Sequence, residues 1–295
     1  MTRGAALILA SLVASVVPVA AQGNGHGHAY GQLKSAAPTP SSGGAAQVQP
    51  AVSGGVRNFG SWLDDASIMT PGSGSLTMSM AWFQSTAYHE IDAPIGDGAI
   101  GLTPKIQFGF SVPYYHVSAP GGPVIRGIGD LYLTSKVQLR EPSARHGGFG
   151  VAVIPIVTVL SGEANIERRR ASWGLPVALE LQRQGWRVFG STGYFSQGSV
   201  FASGALEASV SPQLTLTGTL TQSHSTIDDL PGTTIVLSRT RTDVSGAVAW
   251  TLRPGFAFFG SVGRTISQHD ANAASVVLSG GISFAFDAWK PVAKK

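Results

Sequence analysis

Between Leu214 and Thr221 the chain reads Leu-Thr-Leu-Thr-Gly-Thr-Leu-Thr. Leucine or glycine at every even position faces threonine at every odd one. Side chains alternate between two faces only in an extended strand, because a helix repeats every 3.6 residues. The two faces of this strand therefore meet different surroundings. After a polar interval the pattern returns: Val244, Gly246, Val248 and Trp250 alternate with Ser245, Ala247, Ala249 and Thr251. It recurs through most of the chain, so the fold class is all-β. The remaining question is what covers the apolar face.

Export narrows the answer. Arg3 precedes the apolar run Ala5 to Val17, and Val19-Ala20-Ala21 supplies small residues for cleavage. This is the layout of a secretory signal, with residues 1–21 removed by a cut after Ala21. Residues 22–60 are rich in Gly, Ser, Ala, Pro and Gln and hold too little apolar surface to fold alone, so we expect a flexible periplasmic segment. No other run is long and apolar enough for a membrane helix. The chain has no cysteine, so disulfides cannot stabilise it. Only 12% of its residues are charged and 38 are glycine, where a soluble domain carries roughly 25% charged residues. A charge-poor, glycine-rich, exported β protein fits a closed antiparallel transmembrane β-barrel spanning 61–289, followed by a short tail at 290–295. A soluble sandwich shows the same alternation, but with more surface charge and shorter strands.

About twelve strands are expected, near 74–84, 95–102, 105–114, 128–139, 149–160, 173–183, 186–196, 199–210, 213–223, 242–252, 255–266 and 274–286. The second is the weakest, since Ile95-Gly-Asp-Gly-Ala-Ile-Gly has low β propensity. Connections alternate between mostly short turns and mostly longer loops. Transmembrane barrels show this asymmetry, with short periplasmic turns and long outer loops. Outward sets include Leu76/Met78/Met80/Trp82, Ile106/Phe108/Phe110/Val112 and Leu175/Val177/Leu179/Leu181. Trp82, Tyr114, Trp173, Trp186, Tyr194, Trp250 and Trp289 fall near strand ends, where aromatic girdles sit.

With Leu131 and Leu133 outward, Asp130, Tyr132, Thr134, Lys136 and Gln138 face the lumen. Glu180, Arg187 and Glu207 face it by the same parity, and Lys105 does so less surely because it lies at a turn. Lys136 needs a counter-charge in a narrow interior, because an unpaired buried charge is costly. Asp228, Asp229, Arg239 and Arg241 are expected in an outer loop, where they would set the charge of the entrance.

Val112-Pro113-Tyr114, a glycine-rich loop and then Gly127-Ile-Gly-Asp-Leu-Tyr-Leu-Thr-Ser-Lys136 resemble the outer-membrane transporter family linked to the meta-cleavage pathway of phenol degradation. Gly101-Leu-Thr-Pro-Lys105 before Phe108-Gly-Phe110 is similar to that family's first inner turn. The resemblance runs over about 72–286. It implies a barrel in the outer membrane of a Gram-negative cell, assembled by the barrel assembly machinery, and passage of small or hydrophobic compounds. The chain departs from such barrels after Phe286, where Asp-Ala-Trp-Lys-Pro-Val-Ala-Lys-Lys295 follows.

Other chemistries find little support. The histidines His89, His116, His146, His224 and His269 lie mainly in loops. His224, between Ser223 and Ser225 with Asp228 and Asp229 nearby, shows no reason for the close nucleophile–base pairing that hydrolysis needs. His26 and His28 are one pair of possible ligands, short of a full metal site. The basic residues are dispersed apart from Arg168-Arg169-Arg170, so no nucleic-acid footprint exists. We therefore expect no catalytic residue, metal or cofactor. The expected role is a passive or selective channel for small solutes, hydrophobic or aromatic ones included, with outer-membrane lipid as its surroundings. The alternative is a structural or adhesive barrel acting through its outer loops without transport. The sequence does not address oligomeric state.

Overall fold

The computed structural model describes residues 63–85, 88–118, 124–143, 148–159, 171–196, 198–226, 240–267 and 273–289. Fourteen strand segments follow in order. They are β1 (Ser73–Ser85), β2 (His89–Thr103), β3 (Ile106–Ser118), β4 (Ile125–Ile128), β5 (Leu131–Arg140), β6 (Phe149–Val153) and β7 (Ile156–Val159). Then come β8 (Ala171–Arg183), β9 (Trp186–Phe195), β10 (Ser199–Ser209), β11 (Leu214–Ser225), β12 (Thr240–Arg253), β13 (Phe256–Thr265) and β14 (Ala274–Asp287).

These segments make twelve staves of one antiparallel barrel. β4 and β5 both pair with β3, so they are one stave interrupted at Gly129-Asp130. β6 and β7 both pair with β5 and with β8, so they are a second, interrupted at Ile154-Pro155. Proline has no N–H to give a ladder, and the break falls where it must. β1 closes the ring on β14 in continuous register from Ser73↔Asp287 to Gln84↔Val276. Closure leaves no open edge, so backbone donors and acceptors are paired within the wall.

The alternation read from the sequence is the alternation of the wall. In β11, Thr215, Thr217, Thr219 and Thr221 are buried inward while Leu216, Gly218 and Leu220 are exposed outward. Leu76, Met78 and Met80 on β1 are each at least half exposed, and Leu206, Val262 and Leu278 continue the band. An exposed apolar surface this large is out of place in water. Aromatics mark both rims. Trp173 and Tyr194 meet edge to face, 5.8 Å between centroids, at the end with the longer connections. Trp186, Trp250 and Trp289 are exposed at the end with the shorter turns.

Two expectations about the wall need correction. The second strand, the weakest in propensity, is one of the longest, running from His89 to Thr103. Its neighbours on both sides fix the backbone, and cross-strand packing overrides low propensity. The third strand likewise extends past Tyr114 to Ser118 and pairs with β4, so the expected loop from 115 to 127 is mostly strand. Residues 1–62, where a signal and a periplasmic segment are expected, and the tail at 290–295 lie outside the described residues.

The stretch before β1 does not lie outside the barrel. Leu63, Asp64, Asp65, Ala66, Ile68 and Met69 are all buried. They occupy the lumen near the short-turn end, and the chain then passes out through Thr70 to β1. Gly72 makes that exit possible, with φ of +84° and the Trp289 carbonyl lying where a Cβ would stand. Gly101 does the same from the wall, because the backbone of Met69 and Thr70 fills the space its side chain would need.

Candidate functional site

The site is assembled from four staves and the luminal segment. Lys136 on β5 projects inward because Leu133 and Val137 take the outer face. Its ammonium donates to Asp64 Oδ1 at 2.6 Å, to Asp65 Oδ1 at 3.0 Å and to the Ser67 carbonyl at 3.1 Å. On β9, Arg187 stands directly opposite Glu207 of β10 in the ladder. It forks onto that carboxylate, Nε to Oε1 at 2.7 Å and Nη2 to Oε2 at 3.1 Å. Bidentate geometry of this kind is the strongest arginine–carboxylate arrangement. Its Nη1 donates to Asp65 Oδ2 at 2.8 Å and to Glu180 Oε1, on β8, at 3.3 Å. The guanidinium also covers the Phe189 ring, 4.4 Å from its centroid.

Asp65 is thus the bridge between the two cations, with one carboxylate oxygen on each. Wall side chains hold the rest of the segment. Ser67 Oγ donates to Glu180 Oε2 at 2.8 Å, Gln138 Nε2 to the Ala66 carbonyl at 2.8 Å, the Met69 N–H to Gln107 Oε1 at 2.9 Å and the Asp64 N–H to Ser191 Oγ at 3.1 Å. Apolar contacts fill the gaps. Ala66 belongs to a buried cluster with Tyr132, Ala152, Ile154, Ile156, Ala178, Phe195 and Phe201, and Leu63 packs with Phe189 and Ala205. Lys136, Arg187, Asp64, Asp65, Glu180 and Glu207 are all 3% exposed or less. Charges this far out of water are tolerable only when paired and hydrogen-bonded.

The opposite side of the lumen has another chemistry. From β11 round to β1 the inward positions are mostly Ser, Thr, Ala and Gly with few larger side chains. Their hydroxyls bond across strands: Thr221 Oγ1 donates to Ser203 Oγ at 3.1 Å, Thr77 Oγ1 to Ser283 Oγ at 3.1 Å, and Thr219 pairs with Ser245. One wall is therefore charged and occupied by the segment. The other is polar and built mostly of small residues, with Arg241 and Asp243 as a charged pair near its outer end.

Comparison with solved structures places this architecture. An outer membrane channel from Pseudomonas putida F1 superposes with a TM-score of 0.60 at 14% identity, covering 75% of this chain and 98% of that one. The NanC porin superposes at 0.51 with 10% identity, covering 71% of this chain and 98% of that one. The fold is that of the outer-membrane channel barrels. No family profile and no curated protein matches the sequence.

Within this barrel the residues read from the sequence divide by height. Lys136, Gln138, Glu180, Arg187 and Glu207 gather at the short-turn end around the segment. Asp130 and Tyr132 are buried higher on the same side, and Thr134 is half-buried on the inner face against Gly109. Lys105 is different: it is exposed in the turn between β2 and β3, because that tight turn carries its side chain away from the lumen. Arg241 is also not a loop residue. It sits in β12 on the same face as the inward Asp243, half-buried, with Nε donating to Asp243 Oδ1 at 2.9 Å. The strand begins at Thr240, earlier than the polar sequence implies, and carries Arg241 into the mouth. Asp228, Asp229 and Arg239 lie outside the described residues.

Sequence reasoning missed two sets of residues. The first is Asp64 and Asp65, which are the counter-charges that Lys136 required. They are the first acidic residues of the chain, and an adjacent pair immediately before the first strand was the available signal. The second is Glu90, Asp92 and Asp97 on β2, all buried. Glu90 and Asp92 precede the expected start of that strand at 95, and the register shift between Asp92 and Ile95, at Pro94, puts Asp97 inward on the other parity. Among the described residues the histidines form no constellation: His224 is exposed and bonds Thr240 at 2.9 Å, whereas neighbouring Ser223 is turned inward. Among the described residues no group of three or more His, Asp or Glu is arranged to hold a metal ion.

Proposed function

We propose that this chain is an outer-membrane channel through which small solutes, hydrophobic and aromatic ones included, pass, and that the segment Leu63–Thr70 controls the passage. The observation that carries this reading is the two-sided lumen. A purely structural barrel of this size gains most from a filled, apolar core. Here one wall is polar and made of small residues, and the other is covered by a segment held through charges and hydrogen bonds. Such contacts, unlike interdigitated apolar side chains, can be replaced group for group by the polar groups of a solute. The apolar outer band and aromatic rims support a place in a bilayer, with the short turns on the periplasmic side. The charged seat then lies near the periplasmic exit.

Planar-bilayer conductance and vesicle uptake test the proposal. The full-length mature chain is expected to give small, infrequent openings. A chain lacking residues 22–70 is expected to conduct continuously. A barrel that migrates as folded, yet is sealed in both forms and passes no solute, would overturn transport and leave a structural or adhesive role.

A further inference from the structure

The two cations of the seat depend on the luminal segment to different degrees. Arg187 keeps wall partners whatever the segment does, since Glu207 and Glu180 belong to β10 and β8. Lys136 does not. All three of its hydrogen bonds, to Asp64, Asp65 and the Ser67 carbonyl, go to the segment. Three acceptors saturate an ammonium group. Departure of the segment removes all three of these acceptors at once, and the ammonium must find others. Simple release is therefore disfavoured, while exchange for another anion is not.

The shape of the seat says which anion. Next to the carboxylates of Asp64 and Asp65, Ala66 enters the cluster of Tyr132, Ile154, Ile156, Phe195 and Phe201. The segment thus presents a carboxylate beside an apolar group, and the wall receives it with a cation beside an aromatic and aliphatic surface. We propose that Lys136 and this apolar cluster form a binding site for amphiphilic organic carboxylates, occupied in the resting protein by the chain's own Asp64-Asp65-Ala66. A solute with a carboxylate and an apolar body takes the seat and frees the segment. Chloride offers no apolar body, and a neutral analogue no charge. A ligand that binds only the vacated seat shifts the equilibrium in proportion to its occupancy of that state. This inference rests on the channel reading and specifies its solute class and its gate.

The chain has no cysteine, so one introduced thiol reports on the segment alone. Ala66→Cys, in the full-length mature chain in lipid vesicles, is buried while the segment is seated and is alkylated by a maleimide when it leaves. The probe is sodium benzoate, compared with benzamide at equal concentration and sodium chloride at equal ionic strength. Benzoate is expected to raise the labelling rate saturably, by about fivefold or more, the range of ordinary allosteric coupling. Benzamide and chloride leave it near its basal value. In a Lys136→Met background, labelling is fast without benzoate and indifferent to it, and Lys136→Arg restores the response. Equal effects of benzoate and benzamide, no effect of benzoate, or an undiminished response in Lys136→Met would overturn the site. If Lys136→Met does not reach the folded, heat-modifiable form, the pair Asp64→Asn and Asp65→Asn replaces it. That variant must label fast and without benzoate dependence, and slow labelling overturns the proposal. Conductance of the same vesicle preparation separates the two readings. A conducting barrel whose labelling ignores benzoate removes this site and keeps the channel. No conductance from either the full-length or the segment-deleted chain removes the channel, whatever the labelling shows.

Discussion

Asp65→Asn is the sharpest single perturbation of the seat. The substitution keeps the size of the side chain and removes its charge. Asp65 contributes one oxygen to Lys136 at 3.0 Å and the other to Arg187 at 2.8 Å, and it is fully buried. An asparagine amide turns an NH2 group toward one of these cations, so one charge-assisted hydrogen bond becomes a donor–donor contact. Removing one partner of a buried ion pair costs about 3–5 kcal/mol. The low end applies here, because Lys136 keeps Asp64 at 2.6 Å and Arg187 keeps Glu207, so neither cation is stranded. About 3 kcal/mol corresponds to roughly a hundredfold rise in the unseated fraction. The barrel wall is untouched, so the folded, heat-modifiable band should remain. Single-channel recording measures the effect as open probability. Asp287→Asn, at an exposed rim position, is the matched control and should behave as the parent. If Asp65→Asn folds and its open probability stays within about twofold of the parent, the ionic seat does not hold the segment, since 3 kcal/mol cannot be hidden in that factor.

Three further outcomes follow from the wall and the exit. Leu220→Arg, at mid-height of the lipid-facing band, should lower refolding stability in bilayers by about 2–4 kcal/mol, whereas Leu252→Arg near the short-turn rim should cost about 0–1 kcal/mol; equal costs would contradict the assigned membrane height. Arg187→Met should destabilise the barrel itself by about 3–5 kcal/mol, because Glu207 and Glu180 are left buried without their fork, and a denaturant midpoint in refolded vesicles reads this. Gly72→Ala should hinder docking of the segment exit against Trp289, since an added Cβ meets that carbonyl and φ there is +84°; destabilisation of about 1 kcal/mol or more is expected, and an unchanged midpoint together with unchanged open probability would refute it.

The sequence by itself determined the wall. A period of two, held over strand after strand, allows only a sheet with unlike faces, and few charges on the outward face leave lipid as its natural partner. Parity then put Lys136, Glu180, Arg187 and Glu207 on the inner face, because side-chain direction in a strand is a local property. Where the local rule fails, the reading fails too: low propensity put the start of β2 at 95 and left Glu90 and Asp92 outside it, and Pro94 shifts the register before Asp97. Arg241 was misplaced because the start of β12 is fixed by pairing with β11, not by its own polarity. What only the tertiary structure decided is the partner of Lys136. Asp64 and Asp65 stand about seventy positions earlier, outside any strand, and no periodicity links them to β5. Their meeting depends on ring closure, which forms an interior, and on Gly72 and Gly101, which let the chain turn into it. Contacts of that kind are set by the cost of burying charge without a counter-charge, a quantity summed over the whole lumen rather than written in any one segment.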